Sequence, residues 1–152
     1  MADYVVITDT SCLILLDKIN AFDLLHDIYA HILTTPEIAN EFKKALPVWI
    51  QVTPVKNMSL IAIYNQQVDL GEASAIALAQ EIPNALLIVD DFKGRRLAKQ
   101  LNMQVTGTIG VLITARQQHK ITSLRPYFEL IRSTDFRIDP MLLEHVLADF
   151  KD

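Results

Sequence analysis

Two short runs of apolar residues, each followed by acidic side chains, constrain the fold of this chain most strongly. Residues 4–8 precede Asp9, and residues 85–89 precede Asp90 and Asp91. Continuous runs of this length, rich in β-branched and aliphatic residues, are typical of strands buried on both faces of a parallel sheet. The sequence therefore predicts two buried parallel strands, each of which ends at a carboxylate.

Predicted strands and helices alternate along the rest of the chain. Further short strands are predicted at residues 31–34, 49–52 and 103–105, and helical patterns lie between the strands. This alternation is typical of α/β proteins with a parallel sheet. We therefore predict an α/β fold, a three-layer α/β/α sandwich of Rossmann-like type around a central parallel sheet of roughly five strands. Residues 1–152 are expected to form a single domain, with C-terminal helices from about residue 126 packing on it.

Capping residues predict where two of the helices begin. Thr10 or Ser11 is expected to cap a helix that starts at Cys12, because their hydroxyl groups can accept from the free N–H groups of a first turn. Thr35, followed by proline, predicts the start of a second helix, which is expected to end near Pro47.

Composition excludes several classes of protein. A chain of 152 residues that is 51% hydrophobic, with only four glycines, is not intrinsically disordered. The single cysteine, Cys12, excludes a disulfide scaffold. Apolar runs are too short to span a bilayer, and the N-terminus lacks the basic start of a signal peptide, so no membrane association and a cytoplasmic location are expected.

Charge is distributed unevenly along the chain. Residues 92–128 contain no Asp or Glu and carry a charge of +7, whereas the whole chain carries -4. The basic residues of this segment are Lys93, Arg95, Arg96, Lys99, Arg116, Lys120 and Arg125. One basic segment beside an acidic remainder is compatible with an anionic ligand.

Several carboxylates are expected at one edge of the predicted sheet. The carboxyl ends of parallel strands meet at one edge, where such folds bind ligands, and Asp9, Asp90 and Asp91 follow two of these ends. Glu41, in the helix after the second strand, and Glu72, in the first turn of an alanine-rich helix, are expected to reach the same edge. Clustered carboxylates repel one another, and Mg²⁺ or Mn²⁺ relieves that repulsion. Two such ions about 4 Å apart activate water and stabilise a leaving oxygen.

Each acid also has an ordinary structural interpretation. An Asp at a strand end commonly caps a helix, Glu72 would complement a helix dipole, and Glu37 is expected at the surface. The pair Asp90 and Asp91 is harder to explain in this way, because buried strand ends rarely tolerate unpaired charge.

The order of these motifs resembles the PIN-domain family, in particular the VapC-related branch with Gly-Glu and Asp-Asp motifs. The resemblance covers about residues 4–125, and its motif order and spacing are more specific than any single motif. The segments that carry it are residues 7–14, 35–41, 70–79, 87–98 and 106–112.

The resemblance implies a metal-dependent nuclease with a PIN-like fold that acts on RNA. It implies that Asp9, Glu41, Glu72 and Asp90 bind Mg²⁺ or Mn²⁺, and that Asp91 is a ligand or supports one. These five acids are the predicted catalytic residues. The resemblance also implies the toxin of a VapBC-like toxin-antitoxin pair, with a small antitoxin protein as a possible partner.

Five further residues are candidates for binding RNA. Thr10, Ser11 and Thr108 can hydrogen-bond a carboxylate or a phosphate near helix N-termini, although ordinary capping explains them equally well. Arg95 and Arg96 can hold the RNA backbone, because a guanidinium matches a phosphate, or they can form a solvated helix face.

Other functions fit the sequence less well. A haloacid-dehalogenase phosphatase needs an Asp where Ser11 stands, and a dinucleotide-binding fold needs glycines after the first strand. The alternative of another class is a catalytically inert PIN-like module that binds RNA or protein, which the intact acid set argues against. Apolar residues of the C-terminal helices form a dimer surface or cap the core, and we expect a homodimer.

Overall fold

A five-stranded parallel sheet forms the centre of the computed structural model, which describes residues 4–152. The strand order is β3-β2-β1-β4-β5, and every neighbouring pair is parallel. This confirms the predicted sheet, and its number of strands. The strands are β1 (Val5–Thr8), β2 (His31–Thr34), β3 (Ile50–Val52), β4 (Ala85–Ile88) and β5 (Gln104–Thr106).

Helices cover both faces of the sheet and complete the predicted three-layer α/β/α sandwich. The helix α5 packs against β1 and β4 with α4 and α6 beside it, while α7 packs against α1 and α2. Within residues 4–152 the helices are α1 (Thr10–Lys18), α2 (Leu24–Ile28), α3 (Pro36–Phe42), α4 (Met58–Tyr64), α5 (Leu70–Glu81), α6 (Phe92–Gln100), α7 (Thr108–Gln117), α8 (Arg125–Arg132) and α9 (Pro140–Phe150). None of these helices has the length and apolar character needed to cross a membrane.

Two predicted helix ends are wrong, for local reasons. Asp9, not Thr10 or Ser11, caps α1, because its Oδ1 accepts a hydrogen bond of 3.1 Å from the Cys12 N–H. The helix α3 ends at Phe42 instead of near Pro47, because Lys43 adopts a left-handed conformation with φ of 61°.

Buried hydroxyl groups fix α3 and α5 against the central strand. The Thr34 hydroxyl donates to the Thr8 carbonyl over 3.1 Å. The Thr35 and Ser74 hydroxyl groups lie 2.7 Å apart, and Ser74 also donates to the Gly71 carbonyl over 2.7 Å. These bonds bring the start of α3 and the start of α5 to the carboxyl end of β1.

The C-terminal helices contribute to the core. Phe128 and Ile131 of α8 and Leu143 and Leu147 of α9 are buried in the same cluster as the sheet residues. Other apolar side chains of these helices, such as Met141, are exposed. The predicted homodimer therefore stays a prediction, while capping of the core is observed.

Candidate active site

Six carboxylates lie at the carboxyl edge of the sheet, and their charges interact. Asp9 follows β1, the two adjacent aspartates follow β4, and the others lie on α3 and at the start of α5. The charges of Asp90, Glu72 and Asp69 all raise the pKa of Asp9, and Glu41 raises that of Glu72. The six are Asp9, Glu41, Asp69, Glu72, Asp90 and Asp91.

Asp9 is the most deeply buried of these acids. Its exposed fraction is 1%, and one carboxylate oxygen accepts from the Cys12 N–H at the start of α1. Burial, followed by the charges of Asp90 and Glu72, raises the pKa of Asp9 well above its ordinary value. Among residues 4–152 no Lys or Arg forms an ion pair with it. A negative charge on Asp9 is therefore not balanced by an ion pair within the described residues.

The two adjacent aspartates have different roles in the structure. Thr108 holds both oxygens of Asp90: its N–H donates to Oδ1 over 2.7 Å and its hydroxyl donates to Oδ2 over 2.6 Å. Asp91 instead caps α6, where its Oδ2 accepts from the N–H groups of Lys93 and Gly94. Asp90 is thus fixed beside Asp9, while the Asp91 carboxylate is hydrogen-bonded to the first turn of α6.

Glu72 is buried in the first turn of α5. Its exposed fraction is 5%, and burial, followed by the charges of Asp69 and Asp91, raises its pKa to about 7. The helix α6 passes close to it at Gly94, where an added Cβ would lie 3.3 Å from the Glu72 carboxylate carbon and 2.8 Å from Val89. A glycine at this position lets α6 approach both the strand end and the acid.

Glu41 reaches the site from α3 and is more exposed than Asp9 or Glu72. The Thr10 hydroxyl donates to its Oε2 over 3.3 Å, and the Gly71 N–H also stabilises its charged form. Burial and the charge of Asp69 nevertheless raise the pKa of Glu41. Its carboxylate rests against Gly71, where any larger residue would contact it.

Asp69 is the site residue that sequence reasoning missed. Its Oδ1 accepts from the Glu72 N–H over 2.9 Å and caps α5, and its charge acts on Asp9, Glu41 and Glu72. The signal was present, because an acid three residues before a Glu is the spacing of a capping motif.

The predicted RNA-binding residues divide into three groups. Thr10 and Thr108 bond carboxylates, as described above. Ser11 lies exposed on α1, in a cleft beside Phe136, and contacts no carboxylate of the site. Arg95 donates to the Val89 carbonyl over 3.1 Å and so braces the end of β4, whereas Arg96 is exposed on α6.

Cys12, Glu37 and the histidines lie outside the acid cluster and have no assigned role in it. Cys12 is fully buried, and burial raises its pKa well above the ordinary value, which does not suit a nucleophile. Glu37 departs from the surface prediction, because it is half-buried and its Oε1 is buried without a hydrogen-bond partner. Histidines, such as His26 stacked on Trp49, lie at the surface away from the acids.

The acid cluster fits a hard divalent cation by the chemistry of its donors. All the candidate ligands are carboxylate oxygens, which Mg²⁺ and Mn²⁺ prefer, and a cation would neutralise charges that no Lys or Arg of residues 4–152 balances. In the part of the chain described, no three His, Cys, Asp or Glu side chains are already arranged as a metal site. Binding would therefore draw the carboxylates closer together.

Fold and site together define a nuclease-type α/β domain with an acidic centre at the carboxyl edge of its sheet. A family model for the PIN domain (DUF3368) matches residues 5–152, so the chain belongs to the PIN-domain family. A search of the curated proteins found no match. PIN domains are generally nucleases, and they typically use divalent metal ions.

Removal of the Glu72 charge is expected to flatten the pH dependence of stability in the cation-free protein. The pKa of Glu72 rises from 4.5 to about 7 on folding. Between these two pH values the folded chain keeps a proton on Glu72 that the unfolded chain releases, so the free energy of unfolding falls as the pH rises from 4.5 to about 7. In EDTA, the Tm of Glu72→Gln should decline less than that of wild type between about pH 5 and about pH 8.

The matched control is Glu129→Gln, which neutralises a half-exposed Glu of α8 that lies between arginines. This variant should keep the wild-type slope. Equal slopes for Glu72→Gln and wild type would contradict the raised pKa of Glu72.

Proposed function

We propose that this protein is a metal-dependent endoribonuclease that hydrolyses phosphodiester bonds in RNA with Mg²⁺ or Mn²⁺. The observation that carries the proposal is the burial of Asp9 among other acids at a strand end, where no Lys or Arg of residues 4–152 forms an ion pair with it. Burying an isolated carboxylate is costly, and such an arrangement is explained most simply by a bound cation. Membership of the PIN-domain family supports the same reaction.

The proposed metal ligands are Asp9, Glu41, Glu72 and Asp90. A bound divalent cation supplies activation of the attacking water and stabilisation of the departing oxygen. The chain's own groups orient the ligands: the Cys12 N–H holds Asp9, and Thr10 holds Glu41. Partners of this kind typically change metal affinity or activity by about 10- to 100-fold when they are removed.

Thr108 and Asp91 support this site in different ways. Thr108 fixes both oxygens of Asp90, and so presents that carboxylate in one orientation. Asp91 holds the start of α6 and adds negative charge near Glu72. We assign Asp91 a supporting role, and Asp90 the role of ligand.

Incubation of the purified protein with labelled RNA tests the proposal. Single-stranded and hairpin RNA are incubated with Mg²⁺, with Mn²⁺ and with EDTA, and the products are resolved on a sequencing gel. We expect discrete products with either metal and none with EDTA. Binding of RNA without products in any metal would favour the alternative, an inert PIN-like binding module.

The narrower biological proposal is that the enzyme is the toxin of a VapBC-like pair. The Gly-Glu and Asp-Asp motifs at Gly71–Glu72 and Asp90–Asp91 support it. A small antitoxin would then be a partner, and the exposed apolar side chains of α8 and α9 support a homodimer. Induced expression should arrest growth of a bacterial host, and a variant without Asp9 should not.

A further inference from the structure

The helix α6 combines one exposed aromatic ring with four cations. Phe92 is its first residue and is 74% exposed. The helix contains no acidic residue and carries a charge of +4, in contrast to the net charge of -4 of the whole chain. Its cations are Lys93, Arg95, Arg96 and Lys99, none of which forms an ion pair among the residues that the structure describes.

Two clefts lie along this helix, and Phe92 lines both of them. One has a volume of 430 Å³ and is lined by Gln67, Phe92 and Arg96 among others. The second, of 480 Å³, is lined by Phe92, Arg96 and Lys99. Phe92 therefore borders two clefts, each of which is also lined by cationic side chains.

The helix that lines these clefts begins beside the acid cluster. Phe92 directly follows Asp91, and Gly94 of the same helix lies against Glu72. Among its cations, Arg95 donates to the Val89 carbonyl over 3.1 Å, at the end of β4. A ligand bound along the start of α6 would thus lie next to Asp91 and Glu72.

Two other cations of the basic segment are paired elsewhere. Arg116 forms a two-point ion pair with Asp152, and Arg125 lies beside Glu129 and the Asp152 carbonyl. Of the five cations of residues 92–128 that form no ion pair among residues 4–152, four therefore lie on α6, next to the exposed ring, and the fifth is Lys120, after α7.

We propose that α6 is a binding platform for single-stranded RNA, on which an unpaired base stacks on Phe92 while Arg96 and Lys99 hold the adjacent phosphates. This proposal rests on the proposed function and names its substrate class. Stacking on an aromatic side chain requires a base that is free of a duplex, and aromatic rings interleaved with cations are the usual device for binding single strands. The cations match the phosphates in charge, and a guanidinium also matches them in shape.

Binding is measured in EDTA, so that it does not depend on cleavage. A labelled single-stranded RNA of about a dozen nucleotides, the length that such surfaces commonly engage, is titrated by fluorescence anisotropy. Phe92→Ala should weaken binding about tenfold, and Phe92→Trp should restore it, because tryptophan also stacks. The same RNA in duplex form should bind Phe92→Ala and wild type equally.

Salt dependence separates stacking from charge. Each phosphate contact contributes about -0.7 to the slope of log affinity against log salt for single strands. Arg96→Gln should therefore reduce the slope by about 0.7, whereas Phe92→Ala should lower affinity and leave the slope unchanged. A merely structural role for Phe92 would not give this pattern.

Two matched controls lie away from α6. Val48→Ala removes another exposed apolar side chain, just before β3 at the opposite edge of the sheet, and it should bind RNA as wild type does. Lys56→Gln removes an exposed cation, and the Lys56 backbone N–H donates to Glu81, which lies at the far end of α5, about 14 Å along the helix from Glu72. It should leave the salt slope unchanged.

Specific results would overturn the platform. One is that Phe92→Ala binds the single strand within twofold of wild type. Another is that Phe92→Ala loses as much affinity for the duplex as for the single strand. A third is that Phe92→Trp does not restore the affinity for the single strand. Loss of self-association in Phe92→Ala with unchanged RNA binding would assign the face to a second copy of the chain instead. If Phe92-dependent binding is found without cleavage in any metal, the platform stands and the proposed hydrolysis fails.

Discussion

Asp9→Asn is expected to reduce metal-dependent RNA cleavage about a thousandfold, or about 4 kcal/mol of transition-state stabilisation. The substitution replaces one carboxylate oxygen by an amide nitrogen and removes the charge at the centre of the acid cluster. The remaining acids would then bind a divalent cation with one fewer anionic ligand. Initial rates at saturating Mg²⁺ measure the effect directly.

The fold of Asp9→Asn is expected to remain intact. Asn caps helices about as well as Asp does, so the bond from the Cys12 N–H to the side-chain oxygen is retained. Because burial and neighbouring charges raise the pKa of Asp9, the neutral side chain also relieves repulsion. In EDTA at about pH 8 the variant should melt at a temperature equal to or above that of wild type.

Thermal shifts by metal ions provide a second readout for the same variant. A ligand at about 100 times its Kd stabilises a folded protein by about 2.7 kcal/mol. Wild type should therefore gain several degrees in Mg²⁺, and Asp9→Asn should gain little. This comparison detects loss of the metal site without any RNA.

The matched control for Asp9→Asn is Asp139→Asn. Asp139 also caps a helix, because its Oδ1 accepts from the Met141 N–H at the start of α9, but it lies outside the acid cluster. This variant should retain full cleavage and the full metal shift. Activity of Asp9→Asn within threefold of wild type would make the proposed metal site untenable.

The strands, and the edge of the sheet where the site lies, were predictable from the sequence. A strand buried on both faces is a continuous run of apolar residues, which is easily recognised. The predicted strand at residues 31–34 is observed as β2, and the strands before Asp9 and Asp90 lie within one residue of the prediction. Because ligands bind at the carboxyl ends of parallel strands, the sequence also predicted that the acids after these strands lie at one site.

Tertiary contacts account for what the sequence did not predict. Whether Asp90 or Asp91 faces the site depends on Thr108, which lies 18 residues away along the chain and bonds only the first of the two. Similarly, Phe92 is apolar and would be expected inside, but the helix that carries it turns that position toward solvent. Local patterns give the type of an element, while its neighbours decide which side chains remain exposed.

The second large effect is expected from Gly71→Ala, which should stabilise the protein and yet impair cleavage at least tenfold. An added Cβ at Gly71 would lie 3.1 Å from the Glu41 carboxylate carbon, and closer still to its Oε1. The Glu41 side chain is flexible and partly exposed, so it can rotate away at little cost to the fold. Its carboxylate would then leave the position it holds beside Thr10.

Stability is expected to change in the opposite direction from activity. Alanine is favoured over glycine in a helix by up to about 1 kcal/mol, and Gly71 lies in the first turn of α5. A gain of that size raises the Tm of a chain of this length by about 2–4 °C. Differential scanning calorimetry in EDTA measures the gain, and initial cleavage rates in Mg²⁺ measure the loss.

A double-mutant cycle with Glu41→Ala tests whether the effect of Gly71→Ala acts through Glu41. If it does, the double variant cleaves RNA no more slowly than Glu41→Ala alone, because no carboxylate remains to be displaced. The gain in Tm from Gly71→Ala should persist in that background, since it comes from the helix. Additive losses of activity would contradict this explanation, and they would assign to Gly71 a contact with RNA or a backbone role of its own.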